Sequence, residues 1–158
     1  MKYEKDFFAL AMAAGIANAE ARMKKEGKDS RERVDLMQKV TNDLIAEWGL
    51  MEDFIAFATE TTGIDATPYF QDNLKRNAKE KVELTKEVLF ETAFHKGMMM
   101  TTLQHTKEFK ERNGYDKVNM YCETMMEAFE LFFEAVGIAD EYSKFLRGKL
   151  AEIMKKVF

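Results

Sequence analysis

Proline occurs once in this 158-residue chain and cysteine once; histidine stands only at His95 and His105, and serine only at Ser30 and Ser143. Each scarcity excludes something. A lone Cys122 can form neither an intramolecular disulfide nor a multi-cysteine zinc site. Neither serine lies in a recognisable nucleophilic context, and no glycine-rich phosphate loop is present. Positive charge is not in excess: 24 lysines and arginines against 28 aspartates and glutamates leave a net charge of −4, so the whole molecule is not steered toward nucleic acid. Long apolar runs are also missing. The uncharged stretch FFALAMAAGIANA, between Asp6 and Glu20, is well short of the roughly twenty residues that span a bilayer. Ala17-Asn18-Ala19 has the small-x-small pattern of a signal-peptidase site, but the preceding MKYEKD mixes lysine with Glu4 and Asp6. The expectation is an uncleaved, cytoplasmic chain without membrane attachment.

What is present is helix. A hydrophobic fraction of 46% beside 33% charge suits a globular chain and argues against disorder. Apolar residues recur at three and four, and no run of alternating β-branched residues appears. Gly27, Gly63, Gly114 and Gly137 each follow such a run and can take the left-handed conformation that ends a helix. The spacing predicts helices near 4–26, 30–62, 68–113, 116–136 and 139–157. Asp29 or Ser30 would cap the second helix, and Thr67-Pro68 would start the third. Gly49 would break the second segment into 30–48 and 50–62, and Gly97 would do the same to the third. The result is one all-α domain over residues 1–158, a compact bundle of five to seven helices with no β-sheet.

At about 100° per residue, Val118, Tyr121, Cys122, Met125, Met126, Phe129, Phe132, Phe133 and Val136 fall on one stripe. Ile138, Tyr142, Phe145, Leu146, Ile153 and Val157 form another, and Val34, Met37, Leu44, Ile45 and Trp48 a third. Between them runs a fourth, through Val82, Leu89, Phe90, Ala93, Phe94, Met100 and Leu103. The first helix instead carries alanine and Gly15 on every side, which predicts a central or interfacial position.

The stretch FETAFHKGMMMTTLQH holds both histidines. Glu91 and His95, four apart, share a helix face and are the candidate metal pair. His105 lies ten residues beyond His95, a rise of about 15 Å, whereas ligands sit about 2 Å from a shared ion. A di-iron bundle needs Glu-x-x-His on two inward faces, and here Glu-x-x-x-His occurs once, pointing away from the apolar stripe. Neither metal nor cofactor is therefore expected. Met98, Met99 and Met100 are expected to fill gaps in the core, and Cys122 to be an inert core residue.

Glu123, Glu127, Glu130 and Glu134 recur at four, three and four, making an acidic ridge opposite the aromatic stripe. Such a ridge is usually a solvated face, and it is also the candidate surface for a basic partner. Lys75, Arg76, Lys79 and Lys86 are the candidate nucleic-acid contacts, weakened by the interleaved Glu80 and Glu83 and by the lack of stacking aromatics. Thirteen phenylalanines and twelve methionines exceed the needs of one small core, which points to an interface. The leading expectation is a non-enzymatic adaptor or inhibitor that binds a protein partner, with the chain itself a homodimer. A bundle holding a metal or a small apolar ligand is the alternative, and a helical nucleic-acid binder the third reading.

Overall fold

The computed structural model describes residues 3–24, 28–105 and 115–157. Among them are seven α-helices and one 3-10 turn, with no strand. In chain order these are α1 (Glu4–Lys24), α2 (Lys28–Glu47), α3 (Met51–Thr62), the 3-10 turn (Thr67–Phe70), α4 (Gln71–Lys75), α5 (Lys86–His105), α6 (Tyr115–Ala135) and α7 (Ala139–Val157). The all-α expectation holds. The helices group into two compact units, one ending at Thr85 and one beginning at Lys86. The proposed stops at Gly27 and Gly114 lie outside what is described, while the caps proposed at Asp29 or Ser30 are corrected: α2 already begins at Lys28, so both residues lie within its first turn.

In the first unit α1 packs along α2, with α3 and α4 closing the sides. Phe7 meets Trp48 edge-on with ring centroids 5.0 Å apart, and Phe8 meets Phe54 at 5.4 Å. Around them Val40, Leu44, Ile45, Leu50 and Met51 are essentially inaccessible to solvent. Edge-to-face ring pairs of this kind add about 0.5–1.5 kcal/mol to the burial itself. Across the α1–α2 seam the Asn18 side-chain amide donates to Gln38 Oε1 at 3.1 Å. The alanine-rich helix is not buried all round. Ala11 and Ala14 face the core, while Ala9, Ala13 and Ala17 are exposed, because side chains this small bury usefully only where a neighbour comes close.

The break at Gly49 is real. Gly49 has φ +73°, its N–H donates to the Ala46 carbonyl, and the Leu50 N–H reaches back to Ile45. That pair of bonds is the Schellman closure of a helix end, and Leu50 and Ile45 supply its buried apolar contact. Gly137 (φ +77°) repeats the device between α6 and α7.

The long helix expected over 68–113 is corrected. Pro68 opens only a 3-10 turn, α4 lasts five residues, and residues 76–85 are largely non-helical before α5 starts at Lys86. Tertiary bonds outcompete helix propensity here. The Ala78 and Val82 amides donate to the Ala46 and Trp48 carbonyls at 2.9 and 2.8 Å, and Asn77 Oδ1 accepts from the Met51 amide. Gly97 does not break α5, which runs through it without interruption.

In the second unit α5, α6 and α7 pack on one another around a cluster of aromatic rings. Phe133 lies 4.8 Å from Tyr142, 5.3 Å from Phe90 and 5.8 Å from Phe129. Phe145 extends the cluster to Phe90 at 5.4 Å and Phe94 at 6.4 Å. The predicted stripe of α6 is buried through Met125, Phe129, Phe132 and Phe133, but Val118 at its start is exposed. On α7 the predicted stripe is less covered, and Val157 is exposed.

Candidate functional site

The second unit does not close over its aromatic cluster. Between its three helices lies an open cavity of about 440 Å³. Ala93, Phe94, Gly97 and Met100 of α5 form one wall, Met126, Phe129 and Phe133 of α6 the second, and Tyr142, Leu146 and Leu150 of α7 the third. Gly97 lies on the cavity wall facing Met126, whose sulfur would lie 3.5 Å from a Cβ at position 97, an ordinary packing distance. The residue read from sequence as a helix breaker therefore sits inside a continuous helix. Met98 and Met99, expected in the core, are exposed beside this opening, and Met100 is half-buried within it.

Glu130 is the one carboxylate lining the cavity. It is exposed, and among the described residues it has no hydrogen bond or ion pair. Of its α6 neighbours in the ridge, Glu123 and Glu134 are exposed as well and Glu127 is half-buried, and Glu123 Oε1 accepts from the Asn119 side-chain amide at 3.1 Å. Burial pushes the Tyr142 phenol above its ordinary range, and the nearby Glu130 charge pushes it the same way. At neutral pH that hydroxyl is a hydrogen-bond donor at the cavity wall. Burial likewise raises the Cys122 thiol, with the Lys96 charge opposing, so Cys122 is half-buried and protonated, a poor nucleophile.

The remaining candidates are placed as follows. His95 is exposed, its Nε2 3.4 Å from Glu91 Oε2, and the other Glu91 oxygen is taken by Lys149 Nζ at 3.1 Å. An ion joining that pair would have to displace or sit beside the lysine charge. His105 lies on the same unbroken helix as His95, so the rise of about 15 Å stands. Among the described residues no three histidine, cysteine, aspartate or glutamate side chains gather as a metal-holding group. Lys75, Arg76 and Lys79 belong to the first unit and Lys86 to the second. Arg76 is 3.5 Å from Asp43, and Lys86 pairs with Glu141, so two of the four charges are answered within their own units. Lys81, from the same basic run, pairs with Asp53.

The first unit has a smaller cavity, about 280 Å³, between α1, α3 and the 3-10 turn. Three exposed apolar side chains, Ile16, Ile64 and Tyr69, stand around it. No helix among the described residues is long and apolar enough to cross a membrane. Comparison of the chain with known protein families, characterised proteins and solved structures gives no match.

Proposed function

We propose that this is a non-enzymatic binding protein, an adaptor or inhibitor whose second unit holds an amphipathic helix of a protein partner in the groove between α5, α6 and α7. The observation that carries the reading is the open cavity of about 440 Å³ with its methionine and aromatic walls. Methionine is unbranched and polarizable, so a surface built from it adapts to different apolar anchors, and helix-in-groove recognition uses surfaces of this kind. The sequence pattern supports it too: three of the thirteen phenylalanines and three of the twelve methionines line the groove. The reading keeps the chain in the cytoplasm, where its lone thiol stays reduced.

A fluorescein-labelled synthetic helix of leucine and lysine heptads tests it by anisotropy. The wild-type chain should bind in the micromolar range. Leu150→Glu and Met126→Glu put a charge on the groove wall and should each weaken binding at least tenfold with the far-UV circular dichroism unchanged. Binding that ignores both substitutions, or no binding at millimolar protein, removes the reading. A cavity of this volume also lies within the roughly 300–1,000 Å³ of small-molecule sites, which favours an apolar ligand as the second reading. Native mass spectrometry that retains a bound small molecule would select it.

Self-association is the other half of the proposal. A two-fold interface needs one patch that complements itself, and protruding Ile64 and Tyr69 beside a hollow walled by Ala11, Gly15 and Ala58 offer knob and hole together. Light scattering on a size-exclusion column should give the mass of a dimer, and Tyr69→Glu should return the mass of the monomer. A wild-type monomer at every concentration rules the dimer out.

A further inference from the structure

Resting on the groove reading above, we infer that the groove takes a basic helix, with a lysine or arginine one or two turns from its apolar anchors, and that Glu130 is the residue that selects it. The acidic ridge alone would say nothing, since glutamates at helical spacing commonly do no more than face water. What gives it direction is where one member stands. Glu130 lies at the boundary of two faces of α6. Met126 and Phe133, three or four residues away on one flank, line the cavity, while Glu123, Glu127 and Glu134 continue on the other.

The charge at that boundary has no counter-charge on the groove. The rest of the lining is apolar or carries only uncharged polar groups, the Thr101 and Tyr142 hydroxyls. Lys149 of α7 is committed elsewhere, paired with Glu91 and over the Phe145 ring at 5.5 Å. An occupant with a cation at this point therefore gains twice. The aliphatic stem of lysine or arginine lies along the apolar wall while its charge reaches the carboxylate. The electron-rich faces of neighbouring rings add a further attraction for a cation within about 6 Å of a ring centroid. An acidic helix with the same apolar pattern meets repulsion from Glu130 and then from the whole ridge.

Three labelled helices with one leucine pattern, carrying lysine, glutamine or glutamate at the polar positions, separate this inference from the reading beneath it. On the wild-type chain at low ionic strength the lysine helix should bind at least tenfold more tightly than the glutamine helix, and the glutamate helix more weakly than either. Added salt at about 0.5 M should shrink the spread, because exposed charges are screened. Glu130→Gln should remove most of the lysine advantage and leave the glutamine helix unchanged, and Glu130→Lys should reverse the preference. Glu130 is exposed, so both variants should fold, which circular dichroism checks. Equal binding of the lysine and glutamine helices overturns the inference and leaves the groove standing. A lysine advantage that survives Glu130→Gln also overturns it, assigning selection to the ridge as a whole. Failure of all three helices to bind overturns the groove reading with it.

Discussion

Alanine at position 49 should cost the first unit about 3 kcal/mol, read as a lower urea midpoint in the fluorescence of Trp48, the only tryptophan in the chain. Two physical effects add. Gly49 sits at φ +73°, where a Cβ meets the following carbonyl at a cost of about 1–2 kcal/mol. A Cβ there would also run into the Glu80 carbonyl, with the Ala78 carbonyl 3.1 Å away. Both obstacles are backbone, and that backbone is tied to α2 by the Ala78 and Val82 amides, so making room means breaking one or both bonds at about 1 kcal/mol each. Gly63 and Gly137 provide the internal control. Their φ angles are +74° and +77°, yet a Cβ at either meets nothing within 4 Å. Alanine at those positions should cost about 1 kcal/mol, the conformational part alone. Equal losses at positions 49 and 63 would show that the close approach of residues 78–80 contributes nothing.

Phe133→Ala should destabilise the second unit by about 3–5 kcal/mol, the range for removing a buried phenylalanine and leaving a cavity. Phe133 is 2% exposed and stands among Phe90, Phe129, Phe132 and Tyr142. All four of these rings would lose a partner at once, and the existing cavity beside it would enlarge. A domain is commonly stable by about 5–15 kcal/mol in all, so the variant should melt many degrees lower by far-UV circular dichroism. Phe133→Leu, which keeps most of the volume, should cost about 1.5 kcal/mol. Val118→Ala, on the same helix but exposed, should stay within about 0.5 kcal/mol. A loss under about 1.5 kcal/mol for Phe133→Ala would mean that the ring cluster is not the centre of this unit's stability.

The fold class was legible because helical periodicity and glycine stops are local. The Gly49, Gly63 and Gly137 turns stand where the spacing put them, and the buried positions of α6 follow its apolar stripe. The stretch from Pro68 to Thr85 was misread for a non-local reason. Its residues have acceptable helix propensity, but the Ala46 and Trp48 carbonyls offer partners more than thirty residues away in sequence. Periodicity cannot see such a bond. The candidate site was legible by halves. Glu130 and the apolar stripe both appear in the sequence, but the ridge reads there as lying opposite the stripe, whereas Glu130 stands at the edge of the cavity beside Met126 and Phe133. That the stripe is left partly uncovered depends on how the three helices pack, which is non-local, and a glycine inside a helical pattern looks the same whether it ends the helix or lies within a continuous one, as Gly97 does. His95 was legible for the opposite reason: a side chain off the apolar stripe faces water, and it does.

The largely non-helical passage over residues 76–85 looks like a natural point for splicing in a tag or a reporter, since exposed loops accept insertions more readily than helices. It is a poor choice. Between Ala78 and Val82 the chain is sutured to the end of α2 at both places, and extra residues there would pull on the stitches.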